Sequence, residues 1–438
     1  MRDMITTLGI RREDKNEWER RVSIIPEHAG RLMQTAGLRI MVQPSALRVF
    51  QDHEYAQVGG VIKEELDDCE VILNVKEVPP EKILADKVYL LFSHTIKGQP
   101  HNLAMLRRFM EQRCTLIDYE CITDDQGKRL VFFGRYAGLA GMLETLRGLG
   151  LRWRLQGQST PLLELKPAYE YDSLESAESA VHSIGERISS HGGGPFRTAP
   201  VIFGFSGYGQ VSRGAQEIFD LLPVRTLAPQ ELDAAVPYAG FYKTVFTEED
   251  MVEPCRPGAV FSLNEYYQRP KNYCSRFQSY LPFLTVLVNG IYWDKRYPRL
   301  VSKKGLRELA QQGPLRLQII GDISCDIHGS IECTERITTP ENPFLTWQPL
   351  TGAWHIGLST DGVSILAVDH LPAELPRAAS IGFSQALWPL LSGLATVDLH
   401  APLAQCGLPE PLQRATILHN GVLTSGFQYL QKHLQKED

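Results

Sequence analysis

The sequence lacks the short motifs of metal and dithiol chemistry. Its eight cysteines, Cys69, Cys114, Cys121, Cys255, Cys274, Cys325, Cys333 and Cys406, form no Cys-x-x-Cys pair, and no histidine cluster joins them at zinc-like spacing. They are expected to be buried or free thiols in a reducing compartment, with no metal site. Long apolar runs are missing too. The longest, such as Leu281–Ile291, is too short to span a bilayer and contains Asn289. No signal-peptide core follows Arg2 and Asp3. No block of Lys and Arg offsets the formal net charge of −6, which argues against a nucleic-acid surface. Internal repeats and low-complexity tracts are absent. These absences leave a soluble cytoplasmic protein with neither a nucleic-acid nor a membrane partner.

What is present is an ordinary globular composition, 43% hydrophobic and 22% charged, spread over 438 residues. That length is too great for one core and predicts two domains. Strand-like and helix-like segments alternate. Strands are expected at Ile5–Ile10, Leu38–Val42, Glu70–Val75, Val88–Phe92 and Thr115–Tyr119, with a helix at Pro26–Ala36. Helices follow at Gly141–Gln156 and Ser173–Arg187, then a flexible connection at Ser189–Pro195. A second series has strands at Val201–Phe205, Pro223–Leu227, Leu284–Val288, Leu317–Ile320 and Val363–Val368, and helices at Val211–Leu222, Ser380–Leu394 and Thr424–His433. The alternation predicts an α/β fold, with parallel sheets covered by helices on both faces.

One glycine motif stands at a strand-to-helix junction. Val201–Phe205 runs through Ser206 into Gly207-Tyr208-Gly209-Gln210-Val211-Ser212. The first glycine allows a tight turn, and the second lets the backbone approach a pyrophosphate at the helix N-terminus. Ser212 stands where the dinucleotide fingerprint has its third glycine, and Gly214 and Ala215 supply small residues slightly later. The fingerprint also wants an acid at the end of the next strand, to hold a ribose hydroxyl. Val224–Pro229 has none, and Glu231 and Asp233 come late. Arg225 could hold a 2′-phosphate there, so NADPH is favoured, with NADH possible.

Three strand ends of the first half carry ionisable groups: Lys76 with Glu77 beside it, His94, and Glu120. Parallel strands gather their C-terminal ends at one edge, where open sheets bind ligands. An amine, an imidazole and carboxylates gathered there could move protons. Polar residues are also common at strand ends for no catalytic reason.

Gly9–Pro26 (GIRREDKNEWERRVSIIP), Ile72–Pro79 (ILNVKEVP), Leu91–Lys97 (LFSHTIK), Leu116–Glu120 (LIDYE) and Phe133–Gly141 (FGRYAGLAG) resemble lysine–ketoglutarate reductase, the lysine-consuming half of bifunctional aminoadipic semialdehyde synthase. Tyr273–Arg276, Val288–Trp293 with Pro298-Arg299, Asp322–Asp326 and Val368–Arg377 continue the match in the same order. More distantly the chain is similar to fungal saccharopine dehydrogenase and alanine dehydrogenase. The resemblance implies two Rossmann-like domains with the active site in the interdomain cleft: residues 1–140 plus about 385–438 as the catalytic domain, and 141–384 as the dinucleotide domain.

The implied reaction is the NADPH-dependent reductive condensation of L-lysine with 2-oxoglutarate to saccharopine, the NADP-linked, L-lysine-forming saccharopine dehydrogenase type. The chain is expected to be monofunctional, with any saccharopine-oxidising enzyme a separate polypeptide, and it could form a homo-oligomer. Lys76 and His94 match the catalytic pair, and Arg21 an arginine that binds a substrate carboxylate through a fork of hydrogen bonds. Glu77 and Glu120 match acids around the lysine, and Arg135 is grouped with these substrate-binding residues. Gly207, Tyr208, Gly209, Gln210, Val211, Arg225, Asn289, Asp322 and Asp326 make up the implied cofactor set. Arg135, Ala228 and His328 depart from the family's pattern. The alternatives are an imine-forming dehydrogenase on another amine and oxo acid, an NAD-dependent lysine-forming saccharopine dehydrogenase, and a catalytically silent regulatory homologue.

Overall fold

In the computed structural model, which describes residues 6–191, 199–233, 239–398 and 401–435, short aliphatic runs form most of the strands. In chain order these are β1 (Thr7–Ile10), β2 (Arg39–Val42), β3 (Val61–Ile62), β4 (Val71–Leu73), β5 (Val88–Leu91), β6 (Thr115–Asp118), β7 (Pro200–Ser206), β8 (Val224–Thr226), β9 (Gly240–Phe246), β10 (Val252–Pro254), β11 (Tyr273–Ser275), β12 (Val286–Asn289), β13 (Ile319–Asp322), β14 (Phe344–Trp347), β15 (Trp354–Ile356), β16 (Val363–Leu366), β17 (Thr416–His419) and β18 (Val422–Leu423). Every residue of β1, β4, β5 and β6, and of β12, β13 and β16, is buried. That burial is what strands covered on both faces require.

The chain divides into two compact units, residues 1–133 with 376–438, and residues 134–375. Both boundaries are the first residues of helices, Gly134–Leu155 and Pro376–Ser392. The boundaries read from sequence, 140 and about 385, fall inside those helices.

The first unit holds an eight-stranded sheet in the order β18-β17-β6-β5-β4-β1-β2-β3. Strands β1 to β6 are parallel, while β17 is antiparallel to β6 and β18 to β17. The sheet is therefore largely, not wholly, parallel. The β17–β18 hairpin turns at Asn420-Gly421, both with positive φ (49° and 81°). Asn-Gly is the pair a two-residue hairpin prefers, because both residues tolerate that backbone. The sequence reading made Thr424–His433 helical. The structure has a 3-10 turn at Ser425–Leu430 and a short helix at Gln431–Leu434. The returning Pro376–Ser392 helix supports the loop after β1: the Ser380 and Ser384 hydroxyls accept the Val22 and Ile25 N–H groups at 2.9 and 3.0 Å.

The second unit's sheet runs β15-β14-β16-β13-β12-β7-β9-β8. Six strands are parallel, and β14 and β15 are antiparallel additions at one edge. The Gly134–Leu155 helix begins seven residues before the Gly141 start expected from the sequence. Its glycines weaken helix propensity by about 1 kcal/mol each, which hides the first turns from a pattern reading. Packing supplies what propensity lacks. A Cβ on Gly138 would lie 2.0 Å from the Val211 carbonyl oxygen, and one on Gly214 would lie 2.1 Å from that of Arg135. Gly214 thus permits close packing of helix on helix. Ser189 and Ser190, expected in a flexible connection, end the Leu174–His191 helix, and residues 192–195 of that connection lie outside the described residues. Strands β10 and β11 pair Glu253 with Cys274, so that Cys255 and Cys274 come within 5.2 Å between Cα atoms and form a disulfide. This corrects the expectation of free thiols for those two. Among the described residues, no helix is long and apolar enough to cross a membrane, and no group of three His, Cys, Asp or Glu could hold a metal.

Candidate active site

In the first sheet, β1 has β2 and β3 on one side and β4 to β6 on the other. The strand order reverses between β1 and β4, the switch point where open sheets leave a crevice at their C-terminal edge. Glu13, just beyond β1, bridges that point. Its carboxylate accepts the N–H groups of Val75 and Lys76, beyond β4, at 2.6 and 3.0 Å, and the Asn74 amide at 3.2 Å. Burial and the nearby Glu19 carboxylate push Glu13 up, against those backbone donors.

Lys76 is thereby fixed by its own backbone. Its amine has no hydrogen-bond or ion-pair partner among the described residues, and burial followed by the Arg21 charge pushes it below the usual lysine value. The carboxylates pulling it the other way are Glu19 and Glu77. Arg21 is buried and already forked: its Nε and Nη2 donate to Glu19 at 2.7 and 2.5 Å, and it lies 4.2 Å over the Phe133 ring. The fork expected to grip a substrate carboxylate is therefore taken by Glu19, two residues earlier in the same loop, which leaves Nη1.

His94 ends the next segment in a left-handed backbone conformation, φ 48°. Its Nδ1 lies 2.6 Å from Oε1 of Glu77, whose Oε2 accepts Lys15 Nζ at 2.7 Å. Burial alone would raise Glu77, but these two partners outweigh it and hold the carboxyl at about 2. Behind them Asp118, at the end of β6, is buried and pushed up to about 6 by that burial. It accepts the Ser93 hydroxyl and, at 3.1 and 2.8 Å, the N–H groups of Ser93 and Glu120.

Two expected members stand elsewhere. Glu120 is paired with Arg129, not with the lysine. Arg135 sits in the first turn of the Gly134–Leu155 helix in the second unit, where its Nη2 pairs with Glu217 at 2.6 Å. The sequence reading passed over Glu13, Lys15, Glu19 and Asp118. The signal for Glu13 and Glu19 was available: a cluster of acids directly after the first strand.

In the second unit the glycine turn has the form the motif predicts. Gly207 takes φ 75°, and a Cβ there would strike Ile291 at 2.8 Å. Gly209 caps the Gln210–Phe219 helix without a side-chain bond, and a Cβ on it would meet nothing within 4 Å. Uncapped helix N–H groups facing open space suit a pyrophosphate. The residues present therefore fit a dinucleotide.

The ends of β7, β12 and β13 are locked together beside this turn. Buried Asn289 is paired in register with Ser206 and Asp322. Its Oδ1 accepts the Ser206 hydroxyl at 2.8 Å, and its Nδ2 donates to Asp322 at 2.7 Å and lies 2.8 Å from the hydroxyls of Ser324 and Ser330, which share its second hydrogen. Asp322 also accepts Thr334 at 2.6 Å, and burial pushes it up to about 6. Asn289 and Asp322 are thus occupied within the protein, and Asp326 is exposed on the following loop.

The order of strands corrects the reading of the cofactor's ribose. The strand beside β7 is β9, and β8 lies outside it. The chain after β8, including Ala228, is not at the expected acid position. Arg225 of β8 donates to the Tyr242 hydroxyl at 3.2 Å and lies 5.9 Å over that ring. The missing acid near Ala228 therefore carries no preference for NADPH.

Residues 9–140 match the family model of the alanine dehydrogenase/PNT N-terminal domain. An alpha-aminoadipic semialdehyde synthase of Arabidopsis thaliana is 40% identical over 97% of this chain, which spans only 41% of that protein. A saccharopine dehydrogenase [NAD(+), L-lysine-forming] of Emericella nidulans is 26% identical over 81% of this chain and 84% of its own. A solved L-alanine dehydrogenase shares the fold, with a TM-score of 0.62, 16% identity and coverage of 98% of this chain and 100% of that one. Residues 9–140 are thus an alanine dehydrogenase/PNT N-terminal domain, and along nearly all its length the chain is a homologue of part of the alpha-aminoadipic semialdehyde synthases.

Proposed function

We propose that the chain condenses L-lysine with 2-oxoglutarate and reduces the resulting imine to saccharopine, as a lysine-forming-type saccharopine dehydrogenase working in the reductive direction. The observation that carries this reading is the unpartnered Lys76 amine at the switch point, flanked by the Glu19–Arg21 pair, with the Glu77–His94 pair close along the same edge. The likeness to alpha-aminoadipic semialdehyde synthase supports the substrate pair.

The chemistry assigns work to each group. A substrate ammonium must lose a proton before its nitrogen attacks the ketone carbon, and an amine of lowered pKa such as Lys76 can accept it. The carbinolamine then expels water, and its hydroxyl needs a proton, which His94 can give while Glu77 holds the imidazole in place. Arg21, neutralised in part by Glu19, offers Nη1 to a substrate carboxylate. A nicotinamide dinucleotide held at Gly207, Tyr208, Gly209, Gln210 and Val211 supplies the hydride. The sequence expectation of NADPH rested on β8. With β9 as the flanking strand, the choice of dinucleotide passes to a different residue.

The test is nicotinamide oxidation by the wild-type chain with 2-oxoglutarate and each common amino acid in turn, with the product mass determined. Saccharopine from lysine alone is the expected result. Turnover with another amine and none with lysine would refute the substrate pair, and wild-type-like rates from both Lys76→Met and His94→Gln would refute the residue assignment.

A further inference from the structure

The glycine turn is tied to the end of β9. Ser206 pairs with Phe246, the last residue of that strand, and the Gly207 N–H donates to the Phe246 carbonyl at 2.9 Å. The chain leaving β9, Thr247-Glu248-Glu249-Asp250, therefore starts beside the turn. Its three acids have different fates. Asp250 is buried and folded back, accepting the Thr247 N–H and hydroxyl, both at 2.8 Å. Glu249 is exposed. Glu248 is half-buried, accepts the Tyr267 hydroxyl at 2.5 Å, and its charge raises the pKa of Tyr208 of the glycine turn itself. Among the described residues no lysine, arginine or histidine pairs with Glu248.

This is the place, next to the first strand and level with the glycine turn, from which an acid reads a dinucleotide's ribose. A carboxylate has room for about four hydrogen bonds, so the one phenol donor leaves acceptor capacity for a diol. A 2′-phosphate brings a charge of about −1.5 to −2 and has no donor to offer an ionised carboxylate. Arg225, which could have neutralised that phosphate, lies on β8, two strand spacings or roughly 10 Å from β7, and is engaged with Tyr242.

We propose that Glu248, held by Tyr267 beside the glycine turn, accepts the ribose hydroxyls of the bound dinucleotide and makes the chain select NADH over NADPH. The inference rests on the dinucleotide reading of the glycine turn and adds the residue that chooses between the two cofactors.

The test is direct binding, independent of turnover. Dissociation constants for NADH and for NADPH are measured by calorimetry on the wild type, Glu248→Gln, Glu248→Ala and Glu248→Arg, with circular dichroism to check each fold. The wild type is expected to bind NADH about tenfold to hundredfold more tightly, the range for charge-assisted hydrogen bonds. Glu248→Ala should weaken NADH and bring the two constants together, and Glu248→Arg should reverse their order. The ratio of the two constants cancels general loosening, and Glu248→Gln keeps the side chain's shape if the other variants fold poorly. A wild type that prefers NADPH, or a ratio unmoved by every folded variant, overturns the proposal while leaving the dinucleotide site intact. A wild type that binds neither dinucleotide overturns the site itself.

Discussion

His94 Nδ1 and Glu77 Oε1 are 2.6 Å apart, and Glu77 is also bound through Oε2 by Lys15 at 2.7 Å. The carboxylate is thus a bracket between an exposed lysine and the imidazole. Glu77→Gln keeps the bracket's shape and removes its charge. It should lower kcat, but less than His94→Gln, for which a loss of about 10²–10⁴-fold is expected if the imidazole is a general acid. Steady-state rates with intact dinucleotide binding check this, and a Glu77→Gln loss exceeding that of His94→Gln would contradict the order of roles.

Lys76 should trade stability for activity. Its amine is depressed by burial and by Arg21, so the unfolded chain binds a proton more readily than the folded one. The resulting cost is fully present below the folded pKa and disappears as pH rises towards the ordinary value of 10.5. Lys76→Met should therefore melt higher than wild type at pH 7, with the gap closing as pH rises to about 10.5, while turnover drops by at least about 10²-fold. Melting curves across pH, read beside rates, would show the gap closing, and a variant that melts lower throughout would refute it.

The Arg21–Glu19 pair is buried on both sides, each side chain 3% exposed. Arg21→Met strands a buried carboxylate and should cost about 3–5 kcal/mol in urea unfolding. Adding Glu19→Met should restore much of that loss. A single-variant loss below about 1 kcal/mol would mean that water reaches the pair.

Two glycines of one helix should separate binding from folding. Gly209→Ala adds a methyl to open space. It should leave unfolding within about 1 kcal/mol of wild type while weakening the dinucleotide in calorimetry. Gly214→Ala drives a methyl to 2.1 Å from the Arg135 carbonyl oxygen and should cost about 1–3 kcal/mol or more. Equal effects on binding and folding at the two positions would overturn the distinction.

The sequence by itself determined the α/β class, most strand positions, the glycine turn and the polar strand ends at Lys76 and His94. Each is written in local chemistry: buried aliphatic runs, glycines where φ must be positive, ionisable groups just past a strand. The Asn420-Gly421 hairpin was equally local and was overlooked.

Other features depend on which segments become neighbours, and no local pattern records that. Glu120 goes to Arg129 and Arg135 to Glu217 because each finds a closer partner. Cys255 and Cys274 meet only because β10 and β11 pair antiparallel. The early turns of the Gly134–Leu155 helix exist because Gly138 and Gly214 let two backbones touch. Above all, β9 sits between β7 and β8. Strand order is set by hydrogen bonding between segments far apart in the chain, so tertiary structure alone moved the ribose acid from an empty place near Ala228 to Glu248.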